Sequence, residues 1–195
     1  MRILLITPLY PPDIAGTAPY VKELAERLAS AHMVTVLTYG HIPELVPNVI
    51  IHTVEKSSLL PIRIFHFCIK LISLTRYTDI VYMQNGPSVE LPMLLLSFFS
   101  STPRIMRIGD EKSALHSLNT TLLKNLLLMA SKRMRLLFVH SEKILPASLQ
   151  NLRLIPSPDA RPEILPFSEY PKDAYERFEQ SWNEHVSTLL SLFTP

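Results

Sequence analysis

Three groups of polar residues stand directly behind short apolar runs: Thr7 with Asp13 and Gly16, Gln84 with Asn85 and Gly86, and Gly109 with Asp110, Glu111 and Lys112. Hydroxyls, amides and carboxylates gathered in this way supply the donors and acceptors that a polar ligand needs. Asp110 and Glu111 are adjacent acids, but adjacency alone does not make an acid–base pair, and a solvated loop is the favoured reading of them. No residue is singled out as catalytic. The histidines show no HExxH spacing, and His140, behind another apolar run, reads as structural. Cys68 is the single cysteine, which excludes an intramolecular disulfide and a Cys-based zinc centre. It lies in an apolar helical pattern and reads as a small buried hydrophobe. We therefore expect no metal site and no bound cofactor.

The elements that must position these groups alternate along the chain. Ile3 to Ile6 is too short for a helix and apolar enough for a strand buried on both faces. Prolines 8, 11 and 12 then break the run, and a helical stripe of Tyr20, Val21, Leu24, Ala25 and Leu28 comes next. Thr17 is the expected N-cap, with Pro19 in the first turn. The open end of this helix suits a phosphate or another anion, and water or a side chain would satisfy it as well. No GxGxxG and no GxxxxGK[ST] is present.

Further strands are expected at Met33–Leu37, Val49–Val54, Asp79–Met83, Arg104–Ile108, Arg135–Val139 and Leu152–Ile155. Helices are expected over Leu59–Leu74, Ser88–Phe99 and part of Leu118–Arg133. This alternation predicts an α/β fold: a Rossmann-like parallel sheet of about seven strands with helices on both faces. Ligands bind beyond the C-terminal strand ends of such sheets. All four glycines, Gly16, Gly40, Gly86 and Gly109, fall just behind a predicted strand. An ordinary turn accounts for Gly40, while the other three are expected to line a cleft.

Composition narrows the classes. The chain has 195 residues, 47% of them hydrophobic and 18% charged, which is globular and not disordered. A net charge of +2 is too balanced to argue for nucleic-acid binding. No secretory signal pattern and no run of about 20 apolar residues is present, so a cytoplasmic protein is expected. The Leu59–Leu74 helix carries Arg63, His66 and Lys70 on one face. Packing within the domain is favoured for it over lying on the inner face of an anionic membrane.

The order of the motifs says more. TPLYPPDIAGTAPYVKELAERLA followed by HMVTVLTYG resembles the start of the family-4 retaining glycosyltransferases of the GT-B fold. DIVYMQNGPSVELPMLLLS, TPRIMRIGDE, LLFVHSEKI and LRLIPSPDA resemble later segments of the same N-terminal domain, out to about Ala160. The resemblance implies that Ala15, Gly16 and Thr17 form a loop approaching the donor's diphosphate. It also implies that Asp13, Gln84, Asn85, Gly86, Gly109, Asp110 and Glu111 face the acceptor, whose sugar hydroxyls require paired donors and acceptors. Two departures stand out. Ala15-Gly16 replaces a pair of glycines common in the family, and Ile108-Gly109 stands where many members have His-Gly.

A GT-B enzyme has a second domain that binds the nucleotide sugar and carries an E-x7-E signature; the residues after Ala160 are far too few to form one. Residues 161–171 read as a proline-rich linker. In residues 172–195 an apolar stripe of Tyr175, Phe178, Trp182, Val186, Leu189 and Phe193 predicts an amphipathic helix. It resembles the C-terminal helix that in this family returns to pack on the N-terminal domain. The resemblance thus implies an acceptor-side domain, inactive alone, that takes part in transfer from a nucleotide sugar to a glycan or lipid-linked acceptor once a donor-domain chain completes it. A non-catalytic binding module, or a fragment of a longer transferase, is the alternative.

Overall fold

The apolar run at the start of the chain becomes β1 (Arg2–Thr7), and Ile3 to Ile6 are buried on both of its faces. The computed structural model describes residues 1–13, 17–108, 119–134, 136–139, 152–155, 157–159 and 172–193. It divides into two units, Met1–Leu154 and Ile155–Pro195. In the first unit β1 is followed by α1 (Ala18–Leu28), β2 (Met33–Tyr39), β3 (Val49–Val54), α2 (Leu60–Thr75), β4 (Ile80–Gln84), α3 (Pro87–Leu96), β5 (Arg104–Ile108) and α4 (Thr121–Ser131). Two short strands, β6 (Leu136–Val139) and β7 (Leu152–Leu154), complete it. The sheet order is β3-β2-β1-β4-β5-β6-β7 and every pairing is parallel. The first five strands carry the described core; β6 and β7 extend one edge.

The chain reverses direction across the sheet between β1 and β4. From β1 it builds outward through β2 to β3, then crosses back to place β4 on the other side of β1. Alternation of side chains sorts the core into two layers. Leu4, Ile6, Leu37, Tyr39, Val81 and Met83 face the helices α2, α3 and α4, which bury Phe67, Met93 and Leu127 among them. The alternate residues face α1, which packs on β1 and β2 with Val21, Leu24, Ala25 and Leu28 buried.

Two local findings adjust the sequence-based expectations. Thr17 occupies the N-cap position of α1, but its side chain makes no cap bond; its carbonyl accepts from the Val21 N–H at 3.1 Å and starts the helix. Asp79 lies just outside β4, and its carboxylate is taken by Arg2, accepting the backbone N–H at 2.7 Å as well as the guanidinium. Those bonds hold the Asp79 carboxyl below its usual range. In the second unit α5 (Lys172–Phe193) buries Phe178, Trp182, His185, Leu189 and Phe193 on one stripe, while Tyr175 is exposed. The Trp182 indole N–H donates to the Asp159 carbonyl at 3.1 Å, and the Asp159 N–H donates to Ser181 Oγ at 2.8 Å. The predicted linker, residues 161–171, lies outside the described residues.

Pro92 sits inside α3 and has no N–H for the carbonyl of Ser88, one turn back. The Tyr39 hydroxyl supplies the missing donor at 2.8 Å. The same buried ring stacks on Phe67 with centroids 4.4 Å apart, so one side chain ties β2 to both α2 and α3. Removing the hydroxyl leaves that carbonyl without a donor. We expect Tyr39→Phe to lower stability by about 1–3 kcal/mol in urea unfolding. Adding Pro92→Ala should return most of the loss, because residue 92 then donates the helical bond itself.

Candidate functional site

The strand-order reversal between β1 and β4 marks the place where an open α/β sheet binds its ligands. Here the two exit loops meet. A Cβ added to Gly86 would lie 3.1 Å from Cγ of Pro8, so the β4 loop passes close over the β1 loop and leaves little room for a side chain. Thr7, fully buried, turns the β1 loop by donating to the Leu9 carbonyl at 2.7 Å and accepting the Leu9 N–H at 3.3 Å.

Gln84 and Asn85 lie beneath this junction, 0% and 4% exposed. The Gln84 amide oxygen accepts from Arg107 at 3.2 Å, and its NH2 reaches the Tyr82 hydroxyl at 3.4 Å. Arg107 stacks on the Tyr20 ring at 3.8 Å, and the Tyr20 and Tyr82 hydroxyls share a bond of 2.8 Å. Burial pushes both phenols above their ordinary range, so they act as neutral hydrogen-bonding groups. The Asn85 N–H is held by the Arg107 carbonyl at 2.9 Å. Gln84 thus belongs to a polar floor that fixes β4 and β5 to the first helix, and Asn85 joins it through its backbone N–H.

Glu90 carries no signal in the sequence beyond being an acid in an otherwise apolar helix, and it is fully buried in the first turns of α3. One carboxylate oxygen accepts the Gly86 N–H at 3.0 Å; the other has no partner among the described residues. Burial lifts its pKa to about 7, against the smaller opposing effect of the Gly86 bond.

A cavity of about 510 Å³ opens at the C-terminal ends of β1, β2 and β3, within the range of about 300–1,000 Å³ usual for small ligands. Pro11 to Asp13 form one wall, Tyr39 to His41 another, and Glu55 and Lys56 a third. Lys56 Nζ bonds the Asp13 carboxylate at 2.6 Å, and His41 Nδ1 lies 3.5 Å from Glu55. The loops are locked together by the Glu44 N–H, which donates to the Pro11 carbonyl at 2.9 Å, and by a Lys22–Glu44 ion pair. Gly40 lines the cavity with no atom within 4 Å of an added Cβ, as an ordinary turn glycine would.

Of the residues singled out in the sequence, the structure places Asp13 in this cavity, Gln84, Asn85 and Gly86 at the β1–β4 junction, and Thr17 buried ahead of α1. Ala15, Gly16, Gly109, Asp110, Glu111 and His140 lie outside the described residues. His41, Glu55 and Lys56 carry no sequence signal because each is an isolated polar residue in a loop, and only the pairing of β2 with β3 brings them together. Among the described residues, no three His, Cys, Asp or Glu side chains converge as a metal site.

No family model matches the sequence, and no curated protein matches it. Among solved structures, Anabaena HepE in complex with UDP and glucose superposes with a TM-score of 0.56 at 15% identity, covering 80% of this chain and 44% of that one. HepE in complex with UDP-glucose gives a TM-score of 0.55 at 15% identity, covering 80% and 43%. The chain therefore spans less than half the length of these structures. At this identity the likeness establishes the fold alone, a parallel α/β fold.

Glu90 yields a pH signature. Its folded pKa lies above the ordinary carboxyl value of 4.5, so the folded state binds the extra proton. The stability that proton provides is present below about pH 4.5 and is lost as pH rises through about 7, by on the order of 3 kcal/mol. We expect Glu90→Gln, which keeps the acceptor for the Gly86 N–H, to be more stable than the parent at pH 8 and to flatten this segment of the urea-stability profile.

Proposed function

We propose that this chain is the acceptor-side half of a family-4-type retaining glycosyltransferase. A donor-binding domain, supplied by another polypeptide or by a longer form of this one, completes it. The observation that carries the reading is the β1 exit loop. Its first proline meets Gly86 at the strand-order reversal, and Pro11 to Asp13 wall the adjoining cavity. The fold shared with a protein crystallised with UDP and glucose supports it. In this reading the Asp13–Lys56 and His41–Glu55 pairs accept and donate bonds to acceptor hydroxyls, exchanging partners with each other for partners on the sugar. The loop through Ala15, Gly16 and Thr17 lies toward the donor diphosphate, where the start of α1 favours an anion. Gly109, Asp110 and Glu111 complete the acceptor side. The nucleotide sugar is the donor substrate.

A second reading, a sugar-binding module without transfer, is favoured by one observation. Ile108 is an apolar, buried residue at the position where the resemblance calls for a histidine, so one stabiliser of developing charge is lost.

Titration of the purified chain with a panel of oligosaccharides tests the acceptor site. We expect thermal stabilisation by at least one glycan, with Lys56→Ala weakening its affinity about tenfold through the loss of a charged hydrogen bond. Nucleotide sugars should give no shift with the chain alone; a large shift from one of them overturns the half-site reading. Release of nucleoside diphosphate when a donor domain is added favours transfer, and glycan binding without release favours the module.

A further inference from the structure

The two helical layers of the sheet differ in surface chemistry. On α1 the outward charges are mixed and paired: Arg27 with Glu23 at 2.8 Å, and Lys22 with Glu26 at 3.8 Å. No large hydrophobic side chain of α1 is exposed. The opposite layer exposes Ile62, Phe65 and Ile69 along about two turns of α2, Phe98 and Phe99 behind α3, and Leu122 on α4; Phe65 is 62% and Phe99 75% exposed. These three helices pack side by side. Solvated helix faces do not carry apolar groups at this density.

The charges of that layer have one sign. Across residues 60–76, 87–103 and 119–134 the exposed or half-buried ionic groups are Arg63, Lys70, Arg76, Lys124, Lys132 and Arg133. The only acid there is Glu90, which is fully buried. Arg63 and Lys70 bond backbone carbonyls, and Arg133 lies over the Phe98 ring at 4.1 Å, so aromatic and cationic groups are interleaved.

We infer that the α2–α3–α4 face docks on an anionic lipid bilayer. Apolar side chains enter the headgroup boundary while the lysines and arginines meet lipid phosphates. Pairing two copies of this chain through the face would set cations against cations, with no exposed acid of these three helices between them, which disfavours a dimer. The protein lies on the membrane by this face; among the described residues no helix is long and apolar enough to cross it. Lys56 and Ser57 line the cavity and α2 begins at Leu60, so the docked face runs up to the cavity. On the sugar-transfer reading, the acceptor is then lipid-linked.

Flotation of the full chain tests this with phosphatidylcholine vesicles, with and without phosphatidylglycerol. We expect binding to the anionic vesicles, little to the neutral ones, and release as ionic strength rises. Each basic residue near an anionic surface contributes roughly fivefold to partition, so Arg76→Glu/Lys124→Glu/Lys132→Glu should reduce binding more than tenfold. Phe65→Ser/Phe99→Ser, altering only exposed positions, should reduce it similarly with an unchanged circular dichroism spectrum. No flotation with anionic vesicles, equal flotation with neutral ones, or a dimer in sedimentation that Phe65→Ser dissolves would each overturn the inference. Vesicle binding needs no nucleotide sugar. Its failure leaves transfer to a soluble glycan standing, and failure of transfer leaves the docking result standing.

Discussion

Everything in the first unit depends on β1 being hydrogen-bonded in parallel on both sides. Arg2 to Thr7 pair with Met33 to Thr38, and Ile3 to Ile6 pair with Ile80 to Met83. A strand in that position has no edge and no solvent face, so four consecutive large aliphatic residues are required and found. The same position makes β1 the turning point of strand order. The chain can leave it only at its C-terminal end, with one neighbour's loop on each side. The site is a consequence of that constraint before any side-chain chemistry is considered.

The loop leaving β1 then has to satisfy two sets of neighbours. Toward β4 it packs Pro8 against Gly86, where a larger residue would crowd it. Toward β2 it bonds Glu44 and walls the cavity with Asp13. Beneath it, Arg107 is a buried cation that is tolerable because a phenol face, an amide oxygen and neighbouring hydroxyls surround it. The parts of this floor satisfy one another's hydrogen bonds. Glu90 is the contrasting case: a buried carboxyl with one oxygen unpartnered among the described residues, held near neutrality by burial. The difference between the two outer helical layers adds orientation. One is dressed for water with paired charges, while the other combines exposed aromatics with cations and, among the described residues of its helices, no exposed acid.

The sequence by itself determined the α/β class and the strands of the core. Those features are local: a short apolar run closed by a proline-broken loop, as at Ile3 to Ile6, is a strand and not a helix. It singled out Gly86 and Asp13 as cleft residues without saying which loops would meet beside them. Only the tertiary structure decided that Gln84 is turned inward onto Arg107, that Thr17 starts its helix through its carbonyl, and that Tyr39 answers the carbonyl that Pro92 leaves without a donor. It alone gathered His41, Glu55 and Lys56 around one cavity, and Phe65, Phe99 and Leu122 on one side of the molecule. The physical reason is the same in each case. Burial, ion pairing and hydrogen-bond partners are set by strand order and by which faces meet, and residues such as Gln84 and Arg107 become neighbours only when β4 and β5 lie side by side.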